Sequence, residues 1–235
     1  MRPNLGSDGG AAERERMINA ITTNLTGFFR EPHHFEFLEQ RMLPAMPVGW
    51  QRLRIWSAGC SSGEEPYSIA MSLVRAMPGI HGRDARILAT DIDTEALAKA
   101  RRGIYPQEQV RKLDEARVKR FFQKGTGNHI GLARVRPEVS ALVEFMPLNL
   151  LAPQWPVKGP FDAIFCRNVM IYFDKPTQLA LLRRFAPLLN PGGLLFVGHS
   201  ENFSQSRELF TLLGKTVYEV VPEAACKQNP RMGNA

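Results

Sequence analysis

Cysteine is scarce in this chain. Cys60, Cys166 and Cys226 are the three cysteines among 235 residues. Their number is odd and none stands in C-x-x-C spacing, so neither a disulfide framework nor a zinc-cysteine site is expected. A reducing cytoplasm is the compartment that fits, and no metal is expected. Long apolar runs are missing too, which leaves no segment to cross a membrane as a helix. Met1–Gly10 is polar and glycine-rich, without the apolar stretch of a secretory signal. Acidic residues are missing where basic ones are dense. Between Arg101 and Arg136, ten Lys and Arg face only Glu108, Asp114 and Glu115, and that surplus equals the +7 of the whole chain. Such a patch implies an acidic partner, with a solvated helix face as the plainer reading. The patch lacks the interleaved aromatics that stack single-stranded bases, so nucleic acid is not the expected partner.

What is there is a regular alternation of strand and helix signals. Glu13 to about Met46 has helical spacing, with Pro32 starting a second helix and Pro44 and Pro47 ending it. Leu53–Ser57, Ala85–Thr90, Phe161–Cys166, Leu194–Gly198 and Thr216–Val221 read as strands of a core sheet. Pro66–Met77, Glu95–Arg102 and Pro176–Leu189 read as helices, with Thr94 as a cap and Asn190-Pro-Gly-Gly193 as a stop. Phe145–Leu150 leads into a core strand ending near Asn149. Leu132–Val135 and Leu142–Phe145 read as short strands of a small antiparallel insert. The alternation predicts an α/β fold with a doubly wound, Rossmann-like sheet, its ligand at the C-terminal strand ends.

One segment narrows the ligand. The strand Leu53–Ser57 runs into Gly59-Cys-Ser-Ser-Gly63, a helix begins with Glu64 and Glu65 at its mouth, and the next strand ends in Asp91-Ile92-Asp93. Strand, glycine turn, helix, strand and terminal acid form a nucleoside-cofactor site, the acid taking ribose hydroxyls. The G-x-G-x-x-G that cradles a pyrophosphate is absent. Carboxylates at the helix start suit cationic groups instead of phosphates. S-adenosylmethionine meets these conditions: a nucleoside without phosphate, bearing a sulfonium and an ammonium.

Five ordered segments then point to one family. They are Thr22-Thr-Asn-Leu-Thr-Gly-Phe-Phe-Arg-Glu31, Trp56–Tyr67, Thr90–Asp93, Phe161–Asp174 and Gly198-His-Ser-Glu-Asn-Phe203. Over residues 13–221 the chain resembles the CheR-type chemotaxis receptor methyltransferases. The family's separate N-terminal helical domain is for the most part not in this sequence, and Glu13–Thr23 corresponds to its linker helix. The resemblance divides the chain into a flexible leader (1–12), a helical linker region (13–46), the methyltransferase domain (47–225) and a flexible tail (226–235). The insert near 121–145 resembles the family's β-subdomain.

The resemblance implies methyl transfer from S-adenosylmethionine to glutamate side chains of methyl-accepting receptors, leaving S-adenosylhomocysteine. It places cofactor contacts on Asn24, Thr26, Arg30, Glu64, Asp91, Asn149, Leu150, Arg167 and Asn168. Arg30 and Tyr172 are the candidate catalytic residues, orienting the substrate carboxylate by guanidinium and hydroxyl. The partners implied are the acidic cytoplasmic helices of receptors, with a receptor C-terminal peptide on the β-subdomain. Plainer roles compete at each position: a helix cap for Asp91, a dipole partner for Glu64, a surface ion pair for Arg30, a core tyrosine for Tyr172 and a loop anchor for Asn168. His199 is expected to be structural, and His33 and His34 to pack or face solvent.

Two other functions stay open on sequence. Gly59-Cys-Ser-Ser-Gly63 satisfies G-x-S-x-G, which would make Ser61 a hydrolase nucleophile with Asp174 and His199. That reading leaves Glu64 and Asp91 without a task. The other alternative is a non-catalytic module that binds S-adenosylmethionine as a signal.

Overall fold

The computed structural model describes residues 25–46, 49–203 and 206–225. The linker helix, the leader, the tail, Asn24 and Cys226 lie outside the described residues. Seven strands form the main sheet: β1 (Arg52–Ala58), β2 (Asp84–Asp91), β6 (Val143–Pro147), β7 (Phe161–Cys166), β8 (Leu189–Val197), β9 (Phe210–Gly214) and β10 (Val217–Val220). Their spatial order is β6-β2-β1-β7-β8-β10-β9. The first five run parallel, and β10 is antiparallel to both β8 and β9. A small antiparallel sheet, β3-β5-β4, is made by β3 (Ile104–Pro106), β4 (Phe122–Lys124) and β5 (Leu132–Val135). The fold is the expected one, a Rossmann-like α/β sheet with a small antiparallel subdomain.

The strand sequences explain the burial. Central strands are covered on both faces, so they read as continuous apolar runs. Successive residues nonetheless enter opposite cores, because side chains alternate across a strand. Ala163 and Phe165 join one core with Ile55 and Phe196, while Ile164 and Cys166 join the other with Trp56 and Val197. Phe165 stacks on Phe196 at 4.1 Å between ring centroids. Across the sheet, Trp56 packs against Phe185 and Trp155 and donates its indole N–H to Thr90 Oγ1 at 2.9 Å. Truncating so buried a tryptophan to alanine costs about 3–5 kcal/mol.

Four helices frame the sheet and its insert: α1 (Glu64–Ala76), α2 (Thr94–Arg102), α3 (Glu115–Phe121) and α4 (Lys175–Phe185). The cap of α2 is Asp93, whose carboxylate accepts from Ala96 N–H at 2.9 Å, with Thr94 the first helical residue and not the cap. Asp174 caps α4 in the same way through Thr177 N–H. The Asn190–Gly193 segment does not end the helix before a strand. It bulges within β8, where Phe161 pairs with Leu189 but Ala163 pairs with Leu194.

Two strand assignments differ from the sequence reading. Leu142–Phe145 was expected in the insert, but β6 is an edge of the large sheet, parallel to β2, and it ends at Pro147, short of Asn149. The small sheet instead takes Ile104–Pro106 as its third strand, outside the expected 121–145. A four-residue apolar run reports burial but not which sheet buries it. Three-residue strands such as β3 carry too few alternations to be recognised.

Candidate active site

The chain steps from β1 outward to β2 and β6, then returns to β7 and steps the other way to β8. The order therefore reverses between β1 and β7. Loops leaving adjacent strand ends at such a point diverge and open a crevice. The loop after β1 holds Gly59–Gly63, and the loop after β7 holds Asn168–Tyr172. Between them lies a cavity of about 450 Å³.

The turn after β1 depends on its glycines. Gly59 and Gly63 have φ of +88° and +97°, a region that side chains disfavour. A Cβ on Gly63 would lie 2.8 Å from Ala100 Cβ, so the helix pair α1/α2 also requires its absence. Ser61 between them has φ +49°. Its backbone N–H donates to Asp91 Oδ2 at 2.7 Å, and Asp93 N–H donates to Oδ1 at 2.9 Å. A carboxylate has about four acceptor sites, so Asp91 keeps capacity for a ligand hydroxyl. Burial raises the Asp91 pKa above 3.8 against those two donors.

The expected residues mostly converge here. Thr26, Arg30, Asp91, Asn149, Leu150, Arg167, Asn168 and Tyr172 all line the cavity. Arg30 donates to Leu25 O at 2.8 Å and has no carboxylate partner among the described residues. Tyr172 is 62% exposed at the cavity's mouth and is not a core tyrosine. Asn149 Oδ1 accepts from Leu151 N–H at 2.8 Å, which turns the chain and leaves the amide nitrogen for other partners. Glu64 does not line the cavity. Its carboxylate accepts from Ser62 Oγ at 2.8 Å and from Gln109 Nε2 at 2.6 Å.

The neighbouring acid, Glu65, faces the cavity instead. It accepts from Ser57 Oγ at 2.7 Å and pairs with Arg167 at 3.0 Å. Burial raises its pKa, and Arg167 opposes that. Arg167 also pairs with Glu31 at 3.3 Å and donates to Arg30 O, tying the N-terminal segment to the end of β7. Burial acts to raise the Glu31 pKa, but the His199 hydrogen bond and the Arg167 charge outweigh it and hold the carboxyl at about 2.

Glu201 was not singled out by sequence, yet it holds the other wall. Its buried carboxylate accepts from the backbone N–H groups of Gly198 (2.5 Å), Asn168 (3.1 Å) and Ile171 (3.2 Å). Burial raises its pKa in spite of those donors. Asn168 adopts φ +59°, and this staple over-determines that strained turn. Glu31, Glu65 and Glu201 look like ordinary surface acids in one dimension. Their partners lie 137, 102 and 33 residues away.

The hydrolase arrangement is not assembled. Asp174 spends its carboxylate capping α4, and His199 Nδ1 bonds Glu31 Oε1 at 3.0 Å. Buried Cys60 and Cys166 have thiol pKa values pushed up by burial, which makes them poor nucleophiles.

Known proteins agree with this geometry. The family described as "CheR methyltransferase, SAM binding domain" matches residues 24–219. The chain is 55% identical over 219 residues to the "Chemotaxis protein methyltransferase" of Klebsiella aerogenes, covering 93% of this chain and 74% of that protein. The protein of the same description from Escherichia coli is 54% identical over 214 residues, with 91% and 73% covered. "Chemotaxis protein methyltransferase 2" of Pseudomonas aeruginosa is 52% identical over 207 residues, with 88% and 73% covered. The match of that family over most of the chain and identities of 52–55% to these relatives, with a glycine turn and Asp91 at the switch point, place the chain in the CheR family of S-adenosylmethionine-dependent methyltransferases.

Proposed function

We propose that the enzyme transfers the methyl group of S-adenosylmethionine to glutamate side chains of chemotaxis receptors, and that the cavity residues divide the work. The observation that carries the reading is one cavity at the switch point that holds Asp91 together with Arg30, which lacks a carboxylate partner among the described residues. Asp91 takes the ribose hydroxyls through its remaining lone pairs. Thr26, Asn149, Leu150 and the Arg167–Asn168 corner contact the rest of the cofactor, with Asn24 just upstream. Glu64 acts on the site through Ser62 and Gln109.

The chemistry is an in-line displacement. A glutamate carboxylate oxygen forms the new O–CH₃ bond as the sulfonium C–S bond breaks. The electron pair of that bond stays on sulfur, giving S-adenosylhomocysteine and a methyl ester. A glutamate of pKa ~4.3 is already ionised at neutral pH, so no general base is required. Opposite charges cancel in the transition state, so positioning and exclusion of water contribute most. The apolar lining of Ile92, Leu148, Val169 and Phe173 serves that exclusion. Arg30 and the Tyr172 hydroxyl orient the incoming carboxylate.

Receptor docking uses two further surfaces. Eight of the ten basic residues between Arg101 and Arg136 are exposed, and they steer acidic receptor helices. Arg117 is not one of them: it stacks over Phe29 at 4.2 Å and pairs with Asp114 at 3.2 Å. An edge of the small sheet receives a receptor C-terminal peptide as an added strand. Lys124, His129 and Arg134 beside the hollow on that sheet attract the terminal carboxylate.

The test is transfer of labelled methyl from S-adenosylmethionine to a receptor cytoplasmic fragment. The expected product is a base-labile methyl ester on glutamate, lost in the Arg30→Ala and Tyr172→Phe variants with S-adenosylhomocysteine affinity retained in the Tyr172 variant. Cofactor binding without ester formation on any receptor fragment would favour the non-catalytic module.

A further inference from the structure

The segment Glu31-Pro-His-His34 directly follows Arg30, which lines the cavity, and is joined to the cavity residue Arg167 through Glu31. One donor atom from each of Glu31, His33 and His34 lies within 4.8 Å of the other two. His34 is fully buried. Its Nε2 lies 2.9 Å from Thr216 Oγ1, and the Thr216 hydroxyl donates its own proton to Lys215 O. Thr216 must therefore accept, so His34 donates from Nε2 and carries its lone pair on Nδ1. Among the described residues that Nδ1 has no hydrogen-bond partner, and the facing Glu31 Oε2 has none beyond its ion pair with Arg167 at 3.3 Å. The two atoms are 3.6 Å apart. Two buried acceptors thus face each other, and only the Arg167 guanidinium, on the Glu31 side, offsets them.

His33 repeats the arrangement. Its Nε2 lies 3.0 Å from Lys215 O, and a carbonyl only accepts, so the lone pair again sits on Nδ1. The acceptors of both imidazoles, Lys215 O and Thr216 Oγ1, come from the two-residue turn between β9 and β10, where Lys215 and Thr216 have φ of +43° and +67°. A β-branched residue rarely takes that conformation, and strain of this kind collects at functional sites. Imidazoles whose far N–H is fixed by a backbone carbonyl or hydroxyl, with the near nitrogen free, are prepared as metal ligands. Ligand atoms around a tetrahedral zinc at ~2.0–2.1 Å stand about 3.4 Å apart, close to the Glu31–His34 separation.

We propose that Glu31, His33 and His34 form a divalent-cation site of the zinc class, with water completing the shell. Two imidazoles and a carboxylate select Zn²⁺ or Co²⁺ over Mg²⁺ or Ca²⁺. The site is coupled to the cavity. Glu31 Oε2 is also the atom 3.3 Å from Arg167, which lines the cavity and holds Arg30 O. A cation that takes this oxygen releases Arg167, so cation and cofactor oppose each other. By linkage each weakens the other by the same factor.

The experiment is Co²⁺ and Zn²⁺ titration of the tag-free protein, by visible absorption and calorimetry, with and without S-adenosylhomocysteine. The expected result is one Co²⁺ per chain with tetrahedral bands and no sulfur-to-cobalt charge transfer. His33→Ala abolishes saturation while keeping wild-type S-adenosylhomocysteine affinity in metal-free buffer, which shows that it folds. Thr216→Val, which removes the acceptor of the His34 N–H, lowers Co²⁺ affinity about 10–100-fold. Saturating Zn²⁺ weakens S-adenosylhomocysteine binding about fivefold or more in wild type and not in His33→Ala. Equal Co²⁺ binding by wild type and His33→Ala overturns the site, and so does S-adenosylhomocysteine affinity indifferent to Zn²⁺.

Discussion

The cavity end of the large sheet and the outer face of the small subdomain carry charge in opposite ways. At the cavity, charge is buried and answered: Arg167 lies between Glu65 and Glu31, and Glu201 holds three backbone N–H groups. Around the small sheet, charge is exposed and mostly of one sign, with Lys119–Glu115 and Arg117–Asp114 its local ion pairs. Buried pairs fix geometry at the cost of desolvation. Exposed like charges fix nothing locally, but they raise the encounter rate with an acidic partner. Under the proposed function the first region positions and the second serves encounter, so variants in each should fail differently.

The largest break is expected at Arg167. Replacing it with alanine leaves Glu65 and Glu31 without their shared cation, which costs about 3–5 kcal/mol. Chemical denaturation should register that loss, and a fall under 1 kcal/mol would show that the triad is not the brace described. Glu201→Gln should cost less, about 1–3 kcal/mol, because an amide cannot satisfy all three N–H donors. Its turnover should fall more than its S-adenosylhomocysteine affinity, since the loosened loop carries Tyr172. Equal losses in both would mean that Glu201 acts on the whole fold and not on that loop.

The encounter side predicts a kinetic effect alone. Reversing Arg102, Arg111 and Lys112 to glutamate should lower kcat/KM for a receptor fragment about tenfold at low salt. The deficit should shrink as salt screens the patch, with cofactor affinity unchanged. A deficit insensitive to salt would assign these residues to direct contacts. The smallest effect concerns pH. Burial holds the Asp91 pKa above 3.8, so the anion proposed to bind the ribose is lost on acidification sooner than that of an ordinary aspartate. S-adenosylhomocysteine affinity should therefore decline as pH falls, starting above pH 3.8, and calorimetry across acidic buffers measures the onset.

The two regions also differed in how far the sequence revealed them. β1, its glycine turn, α1, β2 and Asp91 were legible, because continuous apolar runs and paired glycines are local signals. Which neighbour each charged residue would choose was not. Glu64 and Glu65 are adjacent and chemically identical, and only the helix rotation decides that Glu65 meets Arg167 while Glu64 meets Gln109. Arg117 looked like one more patch residue until its place over Phe29 was known. The β9–β10 hairpin was half missed because β9 is an edge with exposed Leu212 and Leu213 and no inward alternation.

The most direct measurement is calorimetric titration of S-adenosylhomocysteine into the wild-type protein and Asp91→Ala. Micromolar binding by wild type, weakened about a hundredfold or more in the variant, is the predicted result, since two hydrogen bonds to a buried charge are lost at about 1.5–3 kcal/mol each. Wild-type affinity in a folded Asp91→Ala protein would contradict the account, because the cofactor would then sit somewhere other than the switch point.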